Sequence, residues 1–359
     1  MSQQPVRVAV VGYGWWGKII TKTLADSTWL QVAMVVEPDA APRAVALADA
    51  AAAQAGAAPD QSATAKATAA SARVVTADFN DAIADPQIEA VILTTPHRFH
   101  ADQIKSAARA GKHVFCEKPL CTTFADASAA IAATREAGVV LGIGHERRFE
   151  PAVIELRRRI AAADLGTVLQ IEANFDQDKF LALPPDNWRL SKELAPVGPL
   201  SGTGIHLVDL SIAILGPAES VWARLSTRGT QFANGDTLGI MLGFANGATA
   251  MISAILATPF DGRLAVYGSQ GWIEIRDRTH PEHPTGWDVT TCLRGQERTT
   301  VFMPPHPAVR ANLEAFAQAV RGVTDYPVTQ REMLANVAAF EAVTRSVESR
   351  QIENIAQPQ

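Results

Sequence analysis

Two clusters of residues in this chain have the types and spacing for chemistry. The first is Gly12-Tyr13-Gly14-Trp15-Trp16-Gly17, directly after the apolar run Val8-Ala9-Val10-Val11. The second is Glu117-Lys118-Pro119, which closes another apolar run, His113 to Cys116. The glycine spacing predicts a strand–turn–helix that receives a pyrophosphate. Gly12 permits the tight turn, Gly14 lets backbone approach phosphate, and Gly17 lets the helix pack close to the strand. Trp15 and Trp16 lie in the same turn and count with the cofactor-binding residues. The N-terminus of the helix after the turn would present unpaired N–H groups and a positive dipole end to the anion. Lys118 follows a strand, which places its ammonium at the carboxyl edge where a cofactor crevice opens. A bound dinucleotide beside a proton donor suits reversible oxidation of an alcohol.

Glu37 ends the next apolar run and stands twenty residues past Gly17 (37 − 17 = 20). An acid there accepts the ribose hydroxyls of an adenosine and repels a 2′-phosphate, so NAD is expected over NADP. Arg43 lies several residues beyond the position from which an arginine usually reverses that choice. A third candidate is His206, which opens a helix with Leu207, Leu210 and Ile214 on one face and Gly216-Pro217 at its end. Asp209 lies one turn on. His206 reads either as a second acid/base group or as a histidine capped by its own helix.

The elements that must position these groups fall into two parts. From Val6 to about Gly144, apolar strands alternate with helical patterns, which predicts a doubly wound parallel sheet of the Rossmann type. The expected strands are Val6–Val11, Gln31–Val36, Arg73–Val75, Ala90–Thr94, His113–Cys116 and Val139–Ile143. The alanine-rich tract from Ala44 to Ala72 reads as an extended helix plus a mobile insertion. Beyond Gly144 the pattern changes. Val153, Leu156 and Ile160 mark a helix; Leu169, Ile171, Ala173 and Phe175 alternate with polar residues, as do Leu238, Ile240, Leu242 and Phe244. Asn246-Gly247 signals a tight hairpin, and Arg263–Tyr267 and Trp272–Ile275 continue the meander. Two helices close the chain, one carrying Val309, Leu313, Phe316 and Val320, the other Leu334, Val337 and Val347. The expected division is a nucleotide-binding domain over residues 1–145 and an α+β domain on a mostly antiparallel open sheet over 146–359. The last helix is free to pack back on the first domain.

Composition narrows the classes. The chain has 359 residues, 47% hydrophobic and 19% charged, with a net charge of −5. An acidic balance argues against nucleic acid, and no basic block marks a membrane site; Arg157-Arg158-Arg159 reads as a solvated helix face. No apolar run is long enough to span a bilayer, and the N-terminus shows no signal peptide. Three cysteines without metal-binding spacing predict reduced thiols. No metal is expected, and the location expected is cytoplasmic.

Two long segments carry a resemblance. One is Thr95-Pro96-His97-Arg98-Phe99-His100 followed by Ala110-Gly111-Lys112-His113-Val114-Phe115-Cys116-Glu117-Lys118-Pro119-Leu120. The other is Gly198-Pro199-Leu200-Ser201-Gly202-Thr203-Gly204-Ile205-His206-Leu207-Val208-Asp209, with lesser echoes at Arg147-Arg148-Phe149 and Trp188-Arg189. The chain resembles the Gfo/Idh/MocA family over nearly its whole length. The resemblance implies an NAD(P)-dependent oxidoreductase acting on a sugar, cyclitol or related polyol. It implies a cis Lys118-Pro119 bond, and a homodimer or homotetramer assembled through the second sheet. Lys118 and His206 then become the catalytic pair. Thr95, Pro96, His97 and Glu117 line the cofactor, as does His100 unless it caps the next helix. Trp188 and Arg189 form a loop over the cleft or a packed corner. Arg147 and Arg148 reach the substrate or remain on a solvated face. The chain departs from the family at Gly202, where many members carry an aspartate four residues before the histidine; Asp176 and Asp209 are the candidate substitutes. The leading expectation is a dehydrogenase or reductase of secondary alcohols and ketones. The alternatives are an enzyme that retains NAD for elimination, epimerisation or glycoside cleavage, and a non-catalytic NAD- or sugar-responsive regulator.

Overall fold

The computed structural model describes residues 4–56 and 73–358. Six parallel strands form the first sheet: β1 (Val6–Val11), β2 (Leu30–Val36), β3 (Val74–Thr76), β4 (Ala90–Leu93), β5 (His113–Cys116) and β6 (Leu141–Ile143). Their order is β3-β2-β1-β4-β5-β6. Helices cover both faces: α1 (Trp15–Thr23), α2 (Ala40–Gly56), α3 (Phe79–Ala84), α4 (His100–Arg109) and α5 (Phe124–Glu136). Central strands such as β4 are therefore buried on both sides and read as unbroken apolar runs. The strand order reverses between β1 and β4, and the crevice at a sheet's reversal point is where ligands of such sheets bind.

The expected strands match closely. β6 starts two residues late because the Val139 and Val140 N–H groups donate to the Thr134 carbonyl and the His113 ring, at 3.0 and 2.9 Å. The alanine-rich tract does form helix α2 as far as Gly56; residues 57–72 lie outside the described residues.

Helix α6 (Pro151–Ala161) leads into a nine-stranded sheet. Its strands are β7 (Val168–Asp176), β8 (Ala218–Ser226), β9 (Thr237–Phe244), β10 (Thr249–Ile255), β11 (Asp261–Gly268), β12 (Gly271–Asp277), β13 (Trp287–Leu293), β14 (Thr299–Met303) and β15 (Glu353–Asn354). All pairings are antiparallel except β7 with β10. One face is covered by α6, α7 (Ile205–Leu215) and α9 (Gln330–Ser349), so Ile171, Ala173 and Phe175 are buried while Gln170, Glu172 and Asn174 face outward. The Asn246-Gly247 hairpin forms, with Gly247 at φ +83°.

Two closing helices tie the sheets together. Leu313 and Phe316 of α8 (Ala308–Val320) pack on Val8, Val10, Ile92 and Phe115 of the first sheet. Along α9, Met333 and Val337 join the first sheet's core while Phe340 and Val343 join the second's. The start of α9 is fixed by a capping box of Thr329 and Glu332.

Candidate active site

The glycine turn is built as its spacing requires. Gly12 has φ +93°, a region that disfavours any Cβ. A Cβ on Gly17 would lie 2.1 Å from the Gly12 carbonyl oxygen, so only glycine lets α1 approach β1. A Cβ on Gly14, by contrast, would meet nothing within 4 Å. Gly14 is the N-cap of α1 and supplies no side-chain cap, which leaves the first N–H groups turned to open space. Glu37 stands beside this turn: its carboxylate accepts the Tyr13 N–H at 2.6 Å and the Asp39 N–H at 3.0 Å. Arg43 is turned to backbone, donating to the Glu37 carbonyl at 2.9 Å. A turn open at Gly14 with an acid at its flank fits an adenine dinucleotide.

From Trp15 and Trp16 of this turn a cleft runs between the two sheets. Lys118 enters it from the end of β5, after a cis bond to Pro119. Its Nζ donates to the Gly202 carbonyl at 2.7 Å and the Ser201 carbonyl at 3.2 Å, in a π-helical turn (Leu200–Gly204) that leads into α7. Burial lowers its ammonium pKa, while Glu146 and Glu117 oppose that shift. Burial and the neighbouring Glu146 push the Glu117 carboxyl up to about 8. Gly144 makes room for that carboxyl, since a Cβ there would lie within 2.4 Å of Glu117 Oε2. His206 faces the same cleft. Burial, then Lys118, His145, Arg147 and His280 hold its ring well below the ordinary histidine range, so it is neutral.

The mouth is aromatic and charged. The His97 and Trp188 rings meet edge to face at 4.9 Å, and the Arg189 guanidinium stacks 4.4 Å above Trp188. Trp15, 41% exposed, receives Arg189 and Lys179 over its ring. Lys179 in turn pairs with Glu282 at 2.7 Å. Trp16 and Thr95 complete this wall.

Several expected site residues lie elsewhere. His100 is fully buried, its two ring nitrogens set 2.8 Å from the Pro119 carbonyl and 2.9 Å from that of Thr95. It braces two loops behind the cleft. Pro96 only starts the short turn His97–Phe99 and is not in the lining. Arg148 forms a bidentate pair with Asp209, at 2.8 and 2.7 Å, and also binds Glu332 at 2.6 Å. Arg147 binds Glu150 and Asp277 beneath Phe175. Asp176 accepts the Ile255 N–H at 2.9 Å where β7 ends. These four charged groups are outside the cleft lining because partners in the fold already consume them. Neither Asp176 nor Asp209 substitutes for the carboxylate missing at Gly202. A Cβ at Gly202 would instead touch the Phe180 ring at 3.3 Å, within a small apolar cluster with Leu190 and Leu256.

The sequence reading missed Glu146, Phe175, Gln177, Phe180, His280 and Glu282, all of which line the cleft. A signal existed for Glu146: like Lys118 it follows an apolar strand at the carboxyl edge. His280 and Glu282 come from an irregular loop after β12, where no periodicity points inward.

A dinucleotide turn, a lysine and a histidine converging on one cleft define the class as a nucleotide-dependent oxidoreductase. Residues 6–145 match the family described as "Oxidoreductase family, NAD-binding Rossmann fold", and residues 153–274 match "GFO/IDH/MocA C-terminal domain". The chain belongs to the Gfo/Idh/MocA oxidoreductase family. It is 30% identical over 281 residues to 1,5-anhydro-D-fructose reductase of Ensifer adhaerens, covering 77% of this chain and 82% of that one. It is 28% identical over 270 residues to D-xylose 1-dehydrogenase (NADP(+)) 2 of Haloferax volcanii, covering 74% and 80%. Among solved structures it is similar to aldose-aldose oxidoreductase from Caulobacter crescentus complexed with glycerol. There the TM-score is 0.82 at 25% identity, over 98% of this chain and all of that one. No helix among the described residues is long and apolar enough to cross a membrane.

Proposed function

We propose that the chain is an NAD-dependent dehydrogenase or reductase acting at a secondary alcohol or ketone of a sugar, cyclitol or glycoside. The observation that carries this reading is the convergence of Lys118 and His206 on the cleft that begins at the Gly14 turn. A nicotinamide dinucleotide bound along that turn supplies the hydride acceptor or donor. Lys118 exchanges its Gly202 and Ser201 carbonyl partners for the reacting oxygen and, as neutral amine, takes the hydroxyl proton. His206 receives the proton next. Trp15, Trp188, Phe175 and Phe180 exclude water and offer apolar faces to a sugar ring. The names of the reductase and dehydrogenase relatives, and of the aldose-aldose oxidoreductase, support the substrate class. Glu37 supports NAD over NADP, although the Haloferax relative is named for NADP. Trp222, Met241 and Met251 form an exposed row across β8, β9 and β10, which supports assembly of two or four copies through the open sheet face. The buried free thiols Cys116 and Cys121 are in keeping with a cytoplasmic location.

The test is absorbance at 340 nm with NAD⁺ or NADP⁺ across sugars, cyclitols and glycosides, comparing the wild type with Lys118→Met. Turnover with NAD⁺ that Lys118→Met abolishes is the expected result; equal turnover by both proteins removes Lys118 from the chemistry. A second reading keeps NAD bound and makes oxidation transient. A nicotinamide that co-purifies and is not consumed distinguishes it.

A further inference from the structure

Nδ1 of His206 is buried and has no hydrogen-bond partner among the described residues. A buried polar atom without a partner is costly and calls for an explanation. Glu146 Oε1 lies 3.7 Å away, inside ion-pair range and just beyond hydrogen-bonding distance. Glu146 lines the cleft with Lys118 and His206. Elsewhere in the fold the approach of these two groups is already fixed. Arg148 lies two residues beyond Glu146, Asp209 lies three beyond His206, and their bidentate pair clamps the turn after β6 to α7. The imidazole itself is held between the rings of Phe175 at 6.0 Å and His145 at 6.3 Å.

We propose that Glu146 is the positioning carboxylate for His206, filling from the other side of the ring the role left open at Gly202. When the cleft is occupied the pair closes to a hydrogen bond from Nδ1–H to the carboxylate. That bond holds the proton on Nδ1 and turns the Nε2 lone pair into the cleft. In the oxidative direction the substrate hydroxyl proton passes to the Lys118 amine and then to His206 Nε2. The electron pair of the C–H bond leaves as hydride to the bound nicotinamide dinucleotide. Glu146 offsets the imidazolium charge until Nε2 gives its proton to solvent. The groups facing Glu146 are Lys118, Glu117, Arg147 and Asp209; those facing His206 are Lys118, His145, Arg147 and His280. Burial raises the Glu146 carboxyl to about 6, so it is an acceptor at neutral pH and becomes a donor in acid.

The consequence for turnover rests on the dehydrogenase reading; the histidine tautomer does not. The experiment uses full-length protein with ¹⁵N-labelled histidine in complex with NADH. Long-range ¹H–¹⁵N correlations report the tautomer, and His206→Asn assigns the signal. Wild type is expected to show Nδ1–H. Glu146→Leu moves the proton to Nε2 and lowers kcat about a hundredfold, at the low end of what a general acid–base contributes, with the NADH Kd unchanged. Glu146→Gln retains an acceptor and an intact fold; it keeps the tautomer but loses the acid limb near pH 6 in kcat/KM. A wild-type tautomer in Glu146→Leu, or Nε2–H in the wild type, overturns the proposal. The expected tautomer shift without turnover of any sugar by wild type sinks the dehydrogenase reading and leaves the positioning role standing. Turnover unchanged in both variants with an unchanged tautomer does the reverse.

Discussion

Glu117 shows how a single side chain makes this cleft depend on pH. Its carboxyl is buried against Glu146 under Gly144, and it titrates at about 8 in the folded protein. In the unfolded chain a glutamate titrates near 4.3. The folded state therefore holds a proton that the unfolded state has already lost. The stability this represents is fully present below the unfolded value and disappears as pH rises through the folded one. The midpoint of urea unfolding should fall as pH rises from about 5 to about 8 and level off above that, and Glu117→Gln should flatten that slope. A wild-type midpoint that rises over this range would show that Lys118 keeps the carboxylate ionised. Lys118 beside it follows the opposite logic, since burial favours the amine that the proton transfer needs.

At the scale of elements, the glycine turn separates two requirements that one motif combines. Gly17 serves packing, whereas a Cβ on Gly14 would meet nothing in the fold, in keeping with the ligand role proposed for it. Gly14→Ala should keep the thermal unfolding temperature within a degree or two of wild type, roughly the effect of a neutral surface change, yet weaken NADH binding. Gly17→Ala should lower Tm sharply, because its Cβ would collide with the Gly12 carbonyl. Fluorescence titration with NADH and a thermal melt separate the two; equal effects from both changes would contradict the division. The same turn explains what was legible in the sequence. β1, β4 and β5 are buried on both faces, so their apolar runs could be read directly, and Lys118 follows from where β5 ends. β14 was not legible: its residues are exposed or half-buried, and Thr299 and Thr300 lead it with no apolar alternation; in β13 only Trp287 and Val289 alternate before the pattern lapses at Thr290 and Thr291. Asp209 and Arg148 stood out as candidate site residues, but sequence does not reveal that they satisfy each other outside the cleft lining. Glu146 could have been read from its place after β6, but its approach to His206 arises only in the tertiary structure.

For the whole molecule, the open face of the nine-stranded sheet is the surface proposed for association. Trp222, Met241 and Met251 lie opposite one another on neighbouring strands and are 38%, 44% and 51% exposed. Next to them, Arg263 pairs with Glu172 and Glu274, so the surface is apolar at one side and charged at the other. Burying such a row between copies removes apolar area from water, and isolated charges would oppose it. Met241→Glu should shift the mass measured by light scattering to that of a single chain. A wild type already at 38.3 kDa would show that the face stays open.

The closing helices have a consequence for how the protein comes into being. Leu313 and Phe316 cover strands that leave the ribosome long before them, and Asn312 and Tyr326 reach back to Ile143 at the end of β6. Until those residues emerge, α1 gives that side of the nucleotide sheet only partial cover, and an incompletely covered sheet is the kind of species that aggregates or is degraded. Synthesis that stops before Ala308 thus leaves a chain that contains every glycine of the dinucleotide turn but lacks the cover that keeps the turn in shape. Cofactor capture belongs to the finished polypeptide, and a prematurely released fragment has no means of competing for the nucleotide pool.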